Sequence, residues 1–479
     1  MTDTKVYIAL MHLDTYELNR FKKYVDSPYF NVNESLSSLF EIYYDHIKNG
    51  KKEELSKQVI WSIVYPNEEF KDSKYRKLNS DLLRLFEGFL AQDLFEKDSF
   101  LKNNLILKAI GEKKIRKLYK ATVSSTTKAL DMTYNRSADY LLAKYQNEKE
   151  KLNLYPESEI LRKRSKTIEK DVNIAEISKY LDQFYIAEKL KYYVKLLGWK
   201  KLISLEQDIN HTEILDEMLD EVDYTHIAPI MIYSTISKTQ LHPDNEENYI
   251  ELKKQVNEFI DYFPDMEIRN IYDALLSFCV RRVNKGDLSY QEEALEVYKD
   301  ALQKEVLMQN GYMTAVTFNN IVFFALRTGA YDWAEQFISE YSPMLNEKDR
   351  ISSTAMSRAR LEFYRKDYEK VIELLQQVEM ESVVFNLNAK TILLFSYYEL
   401  DEFDALDSFV NSFRVYVNRE KSISSRKKSH YKNLIKFIKK IINVRYGDTE
   451  AIEKIKQELT ETPGVVSKPY LLEKLNEKV

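Results

Sequence analysis

The sequence predicts an all-α chain of stacked antiparallel helical hairpins behind an N-terminal helical module. Three observations carry this. Glycine and proline number only 9 each in 479 residues, far fewer than the turns of an all-β or doubly wound chain of this length require. Apolar side chains recur at three- and four-residue spacing over most of the chain, the period of a helix with one buried face. A short turn also recurs in the C-terminal half: Lys285-Gly286-Asp287, Thr328-Gly329-Ala330-Tyr331, Arg365-Lys366-Asp367-Tyr368 and Leu400-Asp401-Glu402-Phe403. The helices after these turns place Ala294, Ala334, Val371 and Leu406 at equivalent positions, 40, 37 and 35 residues apart. A fifth copy, Tyr446-Gly447-Asp448, puts Ala451 at that position, 45 residues further on. Self-similarity near this period marks helical hairpins that bury their faces on one another.

Residues 1–98 read as the N-terminal module. Asp14 is placed to cap a helix carrying Leu18, Phe21 and Val25 on one stripe. Ser27-Pro28 stops it, because the residue before proline is pushed out of the α region. Asn33 caps the next helix, with Leu36, Leu39, Phe40 and Tyr43 inward. A short helix around Ile60 and a long one from Ser73 to Lys97 complete the module. Residues 99–224 continue as helices, Phe100–Ile110, Ile115–Met132, Ser137–Leu152 and Ile174–Leu197, the last terminated by Gly198. Residues 225–479 hold six candidate hairpins, with Pro469–Lys478 as a capping helix for the last exposed face.

Gly329-Ala330-Tyr331-Asp332-Trp333-Ala334 and Lys366-Asp367-Tyr368-Glu369-Lys370-Val371 resemble the tetratricopeptide repeat, with a turn residue, an aromatic and a small residue inside the second helix. The resemblance covers about half the chain. It implies a helical solenoid whose first helices line a concave groove that binds a partner segment. In the N-terminal half, Ser27-Pro28-Tyr29-Phe30-Asn31, the run Ser80–Leu90 and Leu181-Asp182-Gln183-Phe184-Tyr185 resemble patterns in a group of uncharacterised bacterial proteins. That likeness implies no activity. Read from its residues, Ser-Pro-Tyr-Phe-Asn is a helix stop and a tight link, its two aromatics anchoring the link to the core.

Composition bounds the function classes. A hydrophobic share of 44% and a charged share of 31% describe a folded, soluble chain. The single cysteine, Cys279, rules out an intrachain disulfide and a cysteine-based zinc site, and its apolar surroundings in sequence predict an inert thiol. Neither a secretory signal nor a run of 18 apolar residues occurs, so the expected address is the cytoplasm, with no membrane partner. No phosphate-binding glycine loop, metalloprotease motif, nucleophile elbow or calcium loop is present, and the six histidines show no ligand spacing. The expectation is therefore a non-enzyme without metal or cofactor.

Charge is uneven along the chain. Residues 101–200 carry 22 Lys/Arg against 12 Asp/Glu, and residues 201–310 carry 10 against 23. The helix at 213–223 has Glu213, Glu217 and Glu221 on one face and Ile214, Leu215 and Met218 on the other, which reads as a solvated face. Arg414–Lys440 holds ten Lys/Arg and one acid, Glu420. Aligned on the repeats, the groove-facing residues are Asn319, Phe323, Arg327, Met356, Arg360, Tyr364, Asn388, Thr391, Phe395, Tyr398, Lys436 and Lys440. Amide, aromatic, guanidinium and ammonium groups together suit another protein's extended segment carrying acidic residues or a free carboxylate. The sequence thus points to a protein-interaction scaffold. The alternative is a nucleic-acid-associated protein gripping phosphates through Lys113, Lys114, Arg116 and Lys117, and through Arg162, Lys163 and Arg164, in basic helices at 113–120 and 162–170.

Overall fold

Helices pack against helices throughout the computed structural model, which describes residues 4–48, 50, 56–133, 135–153, 174–203, 219, 223–224, 226–309, 311–376 and 383–479. Among these residues there are 22 α-helices and one two-residue-by-two-residue β-hairpin, in which Met308 pairs with Met313. The chain is an all-α stack of helices in which most successive helices pack on one another. It forms two compact units, one of residues 1–193 and 208–230, the other of residues 194–207 and 231–479.

In the first unit, α1 (Lys5–Leu10), α2 (Thr15–Val25), α3 (Glu34–Lys48), α4 (Lys57–Val64) and α5 (Asp72–Lys97) enclose one core. Asp14 caps α2 as its chemistry predicts. Its carboxylate accepts the Glu17 N–H at 2.7 Å, and Glu17 reaches back to the Asp14 N–H at 3.1 Å, a reciprocal capping box. Phe21 is fully buried at the centre, its ring 4.9 Å from Phe40, 5.5 Å from Phe86 and 5.2 Å from Phe89. The Ser-Pro-Tyr-Phe-Asn link is anchored by only one of its aromatics. Phe30 stacks on Tyr24 at 4.0 Å, whereas Tyr29 is 88% exposed. Asn31 supplies the other anchor, donating to the Val25 carbonyl at 3.0 Å.

α6 (Ser99–Glu112), α7 (Arg116–Asp131) and α8 (Ala138–Asn153) pack on one another, and α9 spans Ile174–Ile203. Gly198 does not end α9 as the sequence reading expects. A glycine inside a helix costs about 1 kcal/mol, too little to break a helix of 30 residues. Residues 213–218 and 220–222 of the acidic stretch lie outside the described residues.

The second unit contains, from residue 231 onward, the hairpins α10 (Ala228–Leu241) with α11 (Glu246–Phe259), α12 (Asp265–Asn284) with α13 (Tyr290–Gln303), and α14 (Ala315–Arg327) with α15 (Tyr331–Tyr341). α16 (Glu347–Tyr364) with α17 (Tyr368–Gln376), α18 (Val383–Glu399) with α19 (Phe403–Arg419), and α20 (Ser425–Asn443) with α21 (Thr449–Glu461) follow, and α22 (Lys468–Asn476) closes the chain. Successive first helices also touch, α14 against α16 and α16 against α18.

The recurring turns share one geometry. Gly286, Gly329, Lys366 and Asp401 have φ of +100°, +76°, +65° and +57°, each in the left-handed region just past a first helix. The residue after each donates back five positions: Asp287 to Arg282, Ala330 to Ala325, Asp367 to Glu362 and Glu402 to Tyr397. This is the helix-ending motif that satisfies orphan carbonyls and reverses the chain. Glycine carries no steric penalty there, but lysine and aspartate do. Lys366→Gly is accordingly expected to stabilise the second unit by about 0.5–1 kcal/mol, read as a raised urea midpoint with unchanged slope.

Ala334, Val371 and Leu406 lie five residues after the left-handed residue, and all are fully buried. In the fifth copy that position, after Gly447, belongs to Ile452 and not to Ala451. Ile452 is fully buried and Ala451 half-buried. The register of the last hairpin is therefore shifted by one residue from the sequence alignment.

Candidate functional site

The exposed stripe of α14 is Val316, Asn320, Phe323 and Arg327, at helical spacing opposite the buried Phe318, Ile321, Val322 and Ala325. Arg327 lays its guanidinium over the Phe323 ring, 5.6 Å from the centroid. The Tyr364 ring on α16 stands 6.1 Å from Tyr331, and its hydroxyl lies within reach of the Arg327 charge. Burial raises the Tyr364 hydroxyl above its ordinary pKa, while the charge of Arg327 opposes the rise.

Arg360 lies one turn before Tyr364 on α16 and is half-buried. Desolvation holds its guanidinium below the usual arginine value. Among the described residues it pairs with no carboxylate. Arg365, by contrast, engages Glu335 at 2.7 Å, and Arg282 engages Asp287 at 2.8 Å. Arg327, Arg360 and Tyr364 thus form a cationic, aromatic-walled patch across the α14–α16 contact, and planar guanidinium groups in such a setting suit bidentate binding of a carboxylate.

The other predicted groove residues sit elsewhere. Asn319 is buried, its amide donating to the Ala315 carbonyl at 2.7 Å and accepting the Ser357 hydroxyl at 3.2 Å. The exposed amide belongs to its neighbour Asn320. Met356 is a fully buried core residue packed with Ala359, Val371 and Leu375. Asn388 is half-buried, and Thr391 is buried with its hydroxyl on the Leu387 carbonyl at 2.8 Å. Phe395 and Tyr398 are buried beneath α22: the Tyr470 ring is 4.0 Å from that of Phe395, and burial pushes the Tyr398 hydroxyl up to about 12. Lys436 and Lys440 both hold Glu458 on α21, the first at 2.6 Å, so these ammonium groups are already answered within the hairpin.

Three signals were missed by sequence reasoning. Asn320 was legible as the i+4 partner of Val316. Tyr331 lay within the recognised turn. The reach of α22 over α18 had no local signal, because Tyr470 and Glu399 meet across 71 positions, at 2.5 Å.

A second concavity, of about 540 Å³, is lined on α11 and α13 by Glu246, Tyr249, Lys253, Tyr290 and Glu293. Its charges answer one another. Tyr249 and Lys253 both donate to Glu293, at 2.5 and 2.6 Å, and Tyr290 donates to Glu246 at 2.7 Å. The thiol of Cys279 is fully buried behind it, donates to the Tyr249 oxygen at 3.3 Å, and is raised by burial to about 12. Such a thiol is not a nucleophile near neutral pH.

Lys113, Lys114 and Lys117 are exposed around the α6–α7 turn, where Lys114 has a φ of +56°. The side chain of Arg116 and all of Arg162, Lys163 and Arg164 lie outside what the structure describes. Among the described residues, no three His, Cys, Asp or Glu side chains are grouped to hold a metal ion, and no helix is long and apolar enough to cross a membrane. No protein-family model, curated protein or solved structure matches the chain. The class that the fold defines is therefore the all-α helical stack, and function has to be argued from its surfaces.

Proposed function

We propose that the chain is a non-catalytic protein-interaction scaffold of tetratricopeptide-like architecture, which binds an acidic or carboxylate-ended segment of a partner along its first helices. The observation that carries this reading is Arg360. A desolvated guanidinium without a carboxylate is costly to keep, and an incoming carboxylate offsets that cost. Arg327 and Tyr364 extend the same patch, while Phe323 offers an exposed aromatic surface for an apolar side chain of the ligand. With Asn319, Met356 and Tyr398 in the core and Lys436 and Lys440 paired to Glu458, the recognition surface narrows to the α14–α16 face. A lone cysteine kept as a free thiol fits a reducing compartment, and the reading puts the chain in the cytoplasm.

An immobilised array of acidic decapeptides, with free and amidated C-termini, tests the proposal. The intact chain is expected to select acidic or carboxylate-ended members, and Arg360→Met to lose at least about tenfold in affinity for them, the worth of a charge-assisted hydrogen bond of about 1.5–3 kcal/mol. Indifference to peptide charge, or equal binding by the Arg360→Met chain, would remove this surface from consideration.

A further inference from the structure

The basic run that begins in α19 divides into two halves with different fates. Its later members are neutralised: Lys436 and Lys440 hold Glu458, and Lys439 engages Asp407 at 3.2 Å. Its earlier members are not. Arg414, Arg419, Lys421, Arg426, Lys427 and Lys432 are all exposed, and none pairs with a carboxylate among the described residues. The one acid in the run, Glu420, accepts from the Ser422 N–H at 3.0 Å and the Ser422 hydroxyl at 2.7 Å. These bonds, with the nearby charge of Lys428, hold its carboxyl below the usual range.

We propose that this corner, where α19 turns into α20, binds the phosphate backbone of double-stranded nucleic acid through Arg419, Lys421, Arg426, Lys427 and Lys432. Three features favour that occupant. The cations oppose the fold's own electrostatics: Arg426 and Lys427 lie in the first turn of α20, at the positive end of its dipole, where no acid is present. Docking of an acidic peptide needs apolar anchors, and between Arg419 and Lys432 no large apolar side chain is exposed. Single strands need aromatic platforms for their bases, yet Tyr431, the one Phe, Tyr or Trp between Arg419 and Lys432, is half-buried against Phe413, ring to ring at 6.0 Å. A duplex backbone asks only for positive charge at the right spacing. Four such charges, Arg419, Lys421, Arg426 and Lys427, fall within nine residues of one another where α19 gives way to α20.

The test is fluorescence anisotropy of a labelled 20-base-pair duplex with the intact chain, against a single strand of equal length, poly-glutamate and phosphatidylserine vesicles. The duplex is expected to bind most tightly, its affinity falling with salt at a log–log slope of about −4.5 for five phosphates neutralised. The double variant Arg426→Glu, Lys427→Glu is expected to lose at least about tenfold in affinity and to flatten that slope by about 2. The same variant should be more stable. With Ser424 already capping α20, a glutamate at position 427 completes a capping box, and the thermal midpoint should rise by roughly 2 °C. Absent duplex binding at about 50 mM salt, unchanged duplex binding by the variant, or tighter binding to poly-glutamate or vesicles that the variant also loses would each overturn the proposal. Lost binding with a lowered midpoint would overturn it too, because the argument requires binding and stability to move in opposite directions.

Discussion

Replacing Phe21 with alanine is expected to cost the first unit about 3–5 kcal/mol, the range for removing a fully buried aromatic from a packed core. Phe21 contributes more than its own area. Its ring is the hub at which α2 meets Phe40 of α3 and Phe86 and Phe89 of α5, with edge-on and tilted contacts between 4.9 and 5.5 Å. No neighbour can collapse into the gap without giving up one of these contacts. Because a chain with two compact units need not unfold in one step, the effect should be read by hydrogen exchange. Protection in α2, α3 and α5 should fall by two to three orders of magnitude while α14–α22 keep theirs. Unchanged protection in α5 would mean that the core does not depend on this ring.

A comparable loss is expected in the second unit from Glu399→Ala. Glu399 accepts the Tyr470 hydroxyl at 2.5 Å and the Lys474 ammonium at 2.9 Å, and both side chains of the ion pair are largely buried, at 9% and 15% exposure. Removing Glu399 leaves the buried ammonium with only the half-exposed Glu477, at 2.9 Å, and takes the acceptor from the Tyr470 hydroxyl, at a cost of about 3 kcal/mol. α22 should then exchange its amides about 100-fold faster. Adding Lys474→Met should recover part of the loss, since it removes the ammonium whose burial Glu399 had offset. A double variant no more stable than Glu399→Ala would show that the pair is not what holds α22 down. The pH dependence follows from the same geometry. Burial pulls the Lys474 ammonium down, but hydrogen bonds to Glu477 and Glu399, with their charges, more than offset it, so its pKa stands above the ordinary lysine value. A raised cation contributes fully below the unfolded pKa of about 10.4, and the contribution is lost only as pH climbs past it. The docking of α22 should be insensitive to this group near neutral pH and weaken in strong alkali.

What was legible in the sequence was what local chemistry decides. The capping box of Asp14 and Glu17 and the left-handed turns at Gly286, Gly329, Lys366 and Asp401 depend on residues within a few positions of one another. So do the buried stripes of α2, α3 and α5. Gly198 misled because a glycine only permits a helix to end, whereas the length of α9 decides that it continues. The candidate site was legible in part. Arg327, Arg360 and Tyr364 come together at the α14–α16 contact, while Asn319 exchanged places with Asn320, since a one-residue slip rotates a helix by about 100°. Ala451 and Ile452 show the same slip. Lys436, Lys440 and Tyr398 were misplaced in the groove for another reason: their partners, Glu458 and the residues of α22, come from other helices.

The central claim is that Arg360 receives a carboxylate from a bound segment. Its most direct test is a calorimetric cycle on the tightest acidic peptide from the array. The peptide would be titrated with its carboxylate free and then neutralised by amidation, each against the intact chain and Arg360→Met. The account predicts that amidation weakens binding to the intact chain at least about tenfold, roughly 1.4 kcal/mol, and leaves binding to Arg360→Met unchanged. An equal penalty in both proteins would contradict it, because the carboxylate would then be recognised somewhere other than Arg360.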